Sequence, residues 1–135
     1  MERISILLAD DTVEMQSFVQ RILNPAYTLV ESVTDGQAVL ERVPVLKPAV
    51  VLLDISMPGM DGFTCARRLK QIAGKTKIIF LTVEDDQEIL HEAQAIGYQG
   101  YVLKACLATD LNMAIHEALE NRCFTSSSEG LNDNS

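Results

Sequence analysis

Asp10, Asp11, Asp54, Thr82 and Lys104 are the residues of this chain whose types and places could do chemistry together. Each stands at or beside the end of an apolar run. Residues 4–9 lead into Asp10-Asp11, residues 50–53 into Asp54, residues 77–81 into Thr82, and residues 100–103 into Lys104. Three carboxylates within a few ångströms repel one another by about 4 kcal/mol per pair at roughly 4 Å and an effective dielectric of about 20. A divalent cation relieves that repulsion. Hard oxygen ligands, few enough to leave room for water and a phosphate oxygen, suit Mg²⁺ best. Lys104 then offers a mobile positive charge to one phosphoryl oxygen, and Thr82 offers a hydroxyl to another. A carboxylate nucleophile, a metal and donors for the equatorial oxygens are the parts phosphoryl transfer needs. The expectation is that Asp54 accepts a phosphoryl group.

These residues can act together only if the elements carrying them end on one edge. Val50-Val51-Leu52-Leu53 has no polar break, which reads as a strand buried on both faces. Pro58-Gly59 turns the chain soon after Asp54. Residues 4–9, 27–33, 77–82 and 100–104 have strand character too. Helical periodicity fills the intervals. Met15, Phe18, Val19, Ile22 and Leu23 make the first stripe, with Asp11 or Thr12 as its cap and Asn24-Pro25 as its stop. A short second helix begins at Thr34-Asp35-Gly36 and carries Ala38, Val39 and Val43, and Pro44 and Pro48 bracket the loop after it. Asp61 caps a third helix with Phe63, Ala66, Leu69 and Ala73 inward. Glu84-Asp85-Asp86 leads into a fourth with a thin stripe of Ile89, Leu90, Ala93 and Ile96. The fifth has Leu111, Ala114, Ile115, Ala118 and Leu119 on one face and fades after Asn121. Five strand–helix alternations with short connections predict an α/β, flavodoxin-like (βα)5 sandwich. Its parallel five-stranded sheet has the order 2-1-3-4-5. That order makes the strands ending at Asp10-Asp11 and at Asp54 neighbours.

At 135 residues the chain fits one domain, with 47% hydrophobic and 22% charged residues. A net charge of −8 argues against direct nucleic-acid binding, which requires clustered Lys and Arg. Three cysteines, Cys65, Cys106 and Cys123, with no C-x-x-C pair, point to reduced thiols in a cytoplasmic protein. No apolar run reaches membrane-spanning length, and no leader is expected before the first strand. The final residues 125–135 are polar and small, a disordered end or the start of a linker.

With these residues in view, the chain resembles a receiver domain of two-component response regulators, over about residues 3 to 121. The resemblance rests on Leu8-Ala9-Asp10-Asp11, on Leu53-Asp54-Ile55-Ser56-Met57-Pro58-Gly59-Met60-Asp61-Gly62, on Phe80-Leu81-Thr82, and on Gly100-Tyr101-Val102-Leu103-Lys104. It implies a receiver domain over 1–123 and a polar tail or interdomain linker over 124–135. It implies that Asp54 takes its phosphoryl group from a phosphohistidine on a sensor histidine kinase. Asp10, Asp11, Asp54 and the backbone carbonyl of Ser56 would hold Mg²⁺. Lys104 would pair with the phosphoryl group, Thr82 would move to hydrogen-bond it, and Tyr101 would follow by rotating inward. The face made by the fourth helix, fifth strand and fifth helix would change with them. Homodimerisation on phosphorylation is compatible with that change. Residues 117–128 resemble the end of receivers joined to a LuxR-type helix-turn-helix domain, the NarL/FixJ group. The implied output is transcription, through a domain absent from this chain. The chain is then an isolated receiver piece or a stand-alone regulator.

Ala105 follows Lys104, where receivers commonly have proline, often through a cis bond. Either this loop stores the strain of a cis non-prolyl bond, about 2.5–4 kcal/mol, or a trans loop aims Lys104. Val83 is bulkier than the very small residue often found after the threonine, which predicts slow reaction with small phosphodonors. Ser56 and Glu84 flank the path of the hydrolytic water. His91 and His116 have no partner at ligand spacing. Arg67, Arg68, Lys70, Lys75 and Lys77 form a basic patch whose default is a solvated face. The expected activity is signalling, with catalysis limited to the domain's own phosphorylation and dephosphorylation. A Mg²⁺-dependent phosphohydrolase is the rival, but Ser56 stands where such enzymes carry a second aspartate. A degenerate receiver that binds partners without phosphorylation is the third reading.

Overall fold

The computed structural model describes residues 3–126. Its central strand is β3 (Val50–Asp54), every residue of which is buried. It lies between β1 (Ile4–Ala9) and β4 (Lys77–Thr82), both parallel to it. Full burial of each such aliphatic side chain stabilises the fold by about 1.5–3 kcal/mol. Outside these run β2 (Tyr27–Val33) next to β1, and β5 (Gly100–Leu103) next to β4. The flavodoxin-like order is present, with one addition. A sixth strand, β6 (Phe124–Thr125), pairs in parallel with β5, so the order is β2-β1-β3-β4-β5-β6 rather than five strands. Residues 124–126, expected to open the polar tail, therefore belong to the sheet edge. The remainder of that stretch, 127–135, lies outside the described residues.

The alternation of side chains along each strand divides the core in two. Leu7, Ala9, Val51, Leu53, Ile78, Phe80 and Tyr101 face α2 (Gly36–Leu46), α3 (Gly62–Ile72) and α4 (Gln87–Ile96). Ile6, Leu8, Val50, Leu52, Ile79, Leu81 and Val102 face α1 (Val13–Ile22) and α5 (Leu107–Leu119). The helical stripes point as their spacing predicts. Phe63, Ala66 and Leu69 of α3 are buried, as are Leu111, Ala114, Ile115 and Ala118 of α5. On α4 only Ala93 is fully buried, which matches its thin stripe.

Local differences have physical reasons. α2 passes through Pro44 and ends at Leu46, instead of stopping before the proline. Burial of Val43 and packing of Leu46 against the core hold that last turn in place, although an interior proline costs a helix about 3 kcal/mol. Lys47 closes it in the left-handed region, φ 48°, its N–H donating to the Val43 carbonyl at 2.8 Å. Thr12 sits at the start of α1 but makes no side-chain cap. Asp61 and Asp86 do cap α3 and α4, accepting from the N–H groups of Thr64 and of Glu88 and Ile89. β5 ends one residue early. Lys104 opens a 3₁₀ turn, Lys104–Cys106, and no peptide bond among the described residues is cis.

Candidate functional site

The carboxyl ends of β1, β3, β4 and β5 deliver the predicted residues to one edge of the sheet. Asp54 is the last residue of β3, and its side chain is 5% exposed. Asp10 follows β1, with its N–H donating to the Val33 carbonyl at 3.0 Å, and its side chain is fully buried. Asp11 follows and is exposed. One carboxylate oxygen from each of Asp10, Asp11 and Asp54 lies within 4.8 Å of the others. Lys104 enters from β5, and its Nζ donates to Asp10 Oδ2 at 2.8 Å and to Asp54 Oδ2 at 2.9 Å. Four of the five predicted residues are thus brought together.

The other oxygens are fixed from the backbone. Asp54 Oδ1 accepts from the Ser56 N–H at 2.9 Å. Asp10 Oδ1 accepts from the Thr12 N–H at 2.9 Å and the Thr12 hydroxyl at 2.8 Å. Thr12 thus serves Asp10 rather than the helix, a role whose only signal in the sequence was a hydroxyl two places after an aspartate. Gly62 begins α3 hard against the strand. A Cβ there would lie 2.4 Å from the Asp54 carbonyl oxygen, so only glycine lets the helix approach. Gly59, at φ +77°, gives the Pro58-Gly59 turn its left-handed residue.

The two buried aspartates titrate in opposite directions. Burial pushes the Asp54 pKa up, and the neighbouring Asp10 charge adds to it, while Lys104 and the Ser56 N–H offset only part. Burial acts on Asp10 too, but its hydrogen bonds from Lys104 and from Thr12 outweigh it, so its pKa is lowered. Both share one ammonium at nearly equal distance, and Thr12 is what separates them. For Lys104, burial works against the charge, and the bonds to Asp10 and Asp54 overcome it, raising its pKa. One cation therefore faces three carboxylates, and the set is short of positive charge.

Thr82, at the end of β4, is buried and engaged with its own loop. Its hydroxyl oxygen accepts from the Glu84 N–H at 3.2 Å and lies 3.4 Å from the Glu84 carbonyl. Tyr101 is already inside, 1% exposed, with its ring tilted on Tyr98 at 5.8 Å and its hydroxyl without a hydrogen-bond partner among the described residues. Burial, then the charge of Asp85 and its neighbours, push its phenol up to about 12. The inward place that the resemblance gives to the phosphorylated form is thus occupied in this structure. Val83 and Glu84 are exposed beside it. His91 and His116 are exposed on α4 and α5. The expected basic patch is divided. Arg67 pairs with Glu92 of α4 at 3.4 Å, while Lys77 Nζ donates to Asn121 Oδ1 at 2.6 Å beyond α5. Cys65 and Cys106 are buried and Cys123 is exposed, all as free thiols.

A parallel α/β sheet with a carboxylate trio, two of its members buried, and a lysine at its carboxyl edge defines a receiver-type fold. A family model of the response regulator receiver domain matches residues 6–116. The chain belongs to that family. It is 31% identical over 119 residues to the nitrate/nitrite response regulator protein NarL of Escherichia coli K12, covering 87% of this chain and 55% of that one. It is also 31% identical over 122 residues to the oxygen regulatory protein NreC of Staphylococcus aureus, covering 88% and 56%. The chain thus spans little more than half the length of these curated relatives. Among solved structures, a LuxR-family two-component response regulator from Aurantimonas matches with TM-score 0.88 at 25% identity, covering 94% of this chain and 92% of that one. The isolated receiver domain of RcsB from Salmonella enterica serovar Typhimurium, solved with phosphomimetic BeF3−, matches with TM-score 0.82 at 27% identity, covering 94% and 96%.

Proposed function

We propose that this chain is a phosphorylation-driven switch in which Asp54 accepts a phosphoryl group from a phosphohistidine on a sensor histidine kinase. A carboxylate oxygen of Asp54 attacks phosphorus, the P–N bond breaks, and the donor imidazole keeps the electron pair. The observation that carries this reading is the Lys104 ammonium shared between two buried carboxylates, with Asp11 completing the trio. Such an arrangement costs free energy unless charge chemistry uses it.

The donor set fits Mg²⁺. It is all oxygen, deficient in positive charge, and open to solvent on the Asp11 side. Asp10, Asp11, Asp54 and the Ser56 carbonyl are the groups that would hold the ion. When bound, Mg²⁺ supplies charge neutralisation for the phosphoryl oxygens. Lys104 leaves Asp10 and Asp54 to meet one of those oxygens. Thr82 gives up its contacts with Glu84 to donate to another, and Tyr101 is fixed in its inward place once Thr82 has moved. The face of α4, β5 and α5 carries that change to the output.

Relatives of which this chain covers little more than half support a transcriptional output through a further domain, and homodimerisation on phosphorylation fits the same scheme. We assign the protein to the cytoplasm. No helix among the described residues is long and apolar enough to cross a membrane. Its catalysis is confined to its own phosphorylation and dephosphorylation. Ser56, where a hydrolase would carry an acid/base aspartate, offers only its backbone N–H to Asp54. The test is intact mass after incubation with acetyl phosphate and Mg²⁺. One phosphoryl increment in the native chain and none in Asp54→Asn is the expected result. Multiple turnover of a phosphate ester, or an adduct that survives the substitution, overturns the reading.

A further inference from the structure

We propose that Ser126 is a positioning residue for Lys104, acting through the backbone of β5. The inference rests on the assignment of Lys104 above and concerns a residue that no part of that assignment uses. β5 has β4 on one side, and on the other, among the described residues, the two residues of β6. β6 is registered on it by the Phe124 N–H, which donates to the Gln99 carbonyl at 3.1 Å, and by Thr125 Oγ1, 2.7 Å from the Tyr98 hydroxyl. Beyond Thr125 the edge of β5 still presents the Tyr101 carbonyl and the Leu103 N–H. Ser126 meets both. Its N–H donates to the Tyr101 carbonyl at 2.8 Å, and its Oγ accepts from the Leu103 N–H at 2.7 Å. The hydroxyl also lies 3.4 Å from the Tyr101 carbonyl. The side-chain oxygen stands where the carbonyl of a longer strand would be, and Ser126 is only 5% exposed.

The Leu103 N–H is the last backbone N–H of β5 before the 3₁₀ turn that carries Lys104. Ala105 follows Lys104, so no prolyl ring fixes the lysine. The Lys104 carbonyl accepts from the Leu107 N–H on the α5 side, and on the β5 side the Leu103–Ser126 bond ties the residue before it. Without the hydroxyl a buried N–H loses its acceptor, and the end of β5 is held on its β4 side, through the Thr82–Leu103 pairing, but no longer on the other by that bond. Lys104 Nζ divides itself between Asp10 and Asp54 at distances that differ by 0.1 Å, from 2.8 to 2.9. A small displacement of its backbone therefore changes which carboxylate it serves. The other contacts of β6 remain in Ser126→Ala, so the strand stays docked while the anchor is removed.

The test uses the whole 135-residue chain with acetyl phosphate and Mg²⁺, adduct formation being followed by intact mass. Ser126→Ala slows phosphorylation of Asp54 by roughly ten- to hundredfold, the scale of a catalytic group displaced by about an ångström. Ser126→Thr, which keeps the hydroxyl, restores most of the rate. Thr125→Ala, which breaks only the Tyr98 contact, leaves it close to native. In a Lys104→Met background, Ser126→Ala adds no further loss, because both substitutions act through one amine. A native rate in Ser126→Ala, a loss that Thr does not rescue, or a loss that adds to Lys104→Met overturns the proposal. A second reading is independent of phosphorylation. Lys104 becomes more reactive toward an amine-acylating reagent in Ser126→Ala, by peptide mapping, and unchanged labelling also overturns it. Should the native chain take no phosphoryl group, the assignment of Asp54 has failed, and the labelling alone decides the role of Ser126.

Discussion

Lys104→Met removes the charge and keeps most of the side-chain length, so it isolates what the ammonium does for the acidic trio. At an effective dielectric of about 20, unit charges at the observed 2.8 and 2.9 Å attract by about 6 kcal/mol each. Two carboxylates with oxygens no more than 4.8 Å apart repel by at least about 3.5 kcal/mol on the same scale. Desolvation of the buried ions consumes several kcal/mol apiece, so removing the one cation leaves a net loss of about 3–5 kcal/mol. For a domain of this size that lowers Tm by roughly 10–15 °C. The raised pKa of Lys104 means its contribution is fully present below 10.5 and fades as pH climbs through the folded value. At neutral pH the whole term is therefore at stake. Asp10, with a lowered pKa, contributes stability above 3.8 that disappears as pH falls through its folded value. The gap between native and Lys104→Met protein is thus widest near neutrality and narrows in acid, where the carboxylates are protonated. Urea midpoints in chelator, at neutral and acid pH, measure this, and a repeat with Mg²⁺ recovers much of the loss at neutral pH. A variant within about 1 kcal/mol of native in chelator, or one indifferent to both pH and Mg²⁺, refutes the charge argument.

Asp54→Asn raises the neutral-pH melting temperature of the metal-free protein. The pKa of Asp54 is raised, so its favourable contribution exists below 3.8 and is lost as pH climbs through the folded value; a lower melting temperature in calorimetry contradicts this. Tyr101→Phe deletes a buried hydroxyl that has no partner among the described residues, and stabilises the unphosphorylated fold by about 1 kcal/mol. A urea midpoint below native would show that the hydroxyl has a partner after all. Val83 is 72% exposed beside Thr82, and Val83→Ala speeds labelling by acetyl phosphate several-fold. Equal rates in the two proteins remove Val83 from any part in access.

The five main strands and the edge at which they end were legible because their signals are local; the two-residue β6 was not. An unbroken aliphatic run ending in a polar residue fixes both a buried strand and where it surfaces. Four such runs place Asp10, Asp11, Asp54, Thr82 and Lys104 on one edge. The cap at Asp61 was equally plain, because a cap bonds to N–H groups two or three residues away. The acidic run Glu84-Asp85-Asp86 marked the start of α4 without singling out Asp86 as its cap. Pro44 misled because propensity is a local cost, and burial of Val43 on the core outweighed it. The partition of Lys104 between Asp10 and Asp54 could not be read, since it depends on three chain segments meeting. Nor could the opposite titration of the two aspartates, which turns on the hydroxyl and N–H of Thr12.

Ser126 is the sharpest contrast. In the sequence it is one serine among Thr125-Ser126-Ser127-Ser128, with neither periodicity nor spacing to distinguish it. In the fold it closes the edge of β5 beside the lysine. The chain's own order of residues determined which groups gather at the carboxyl edge and what chemistry they suit. Only the tertiary structure decided how charge is divided among them and what holds the lysine in place, because both depend on distances between residues far apart in sequence.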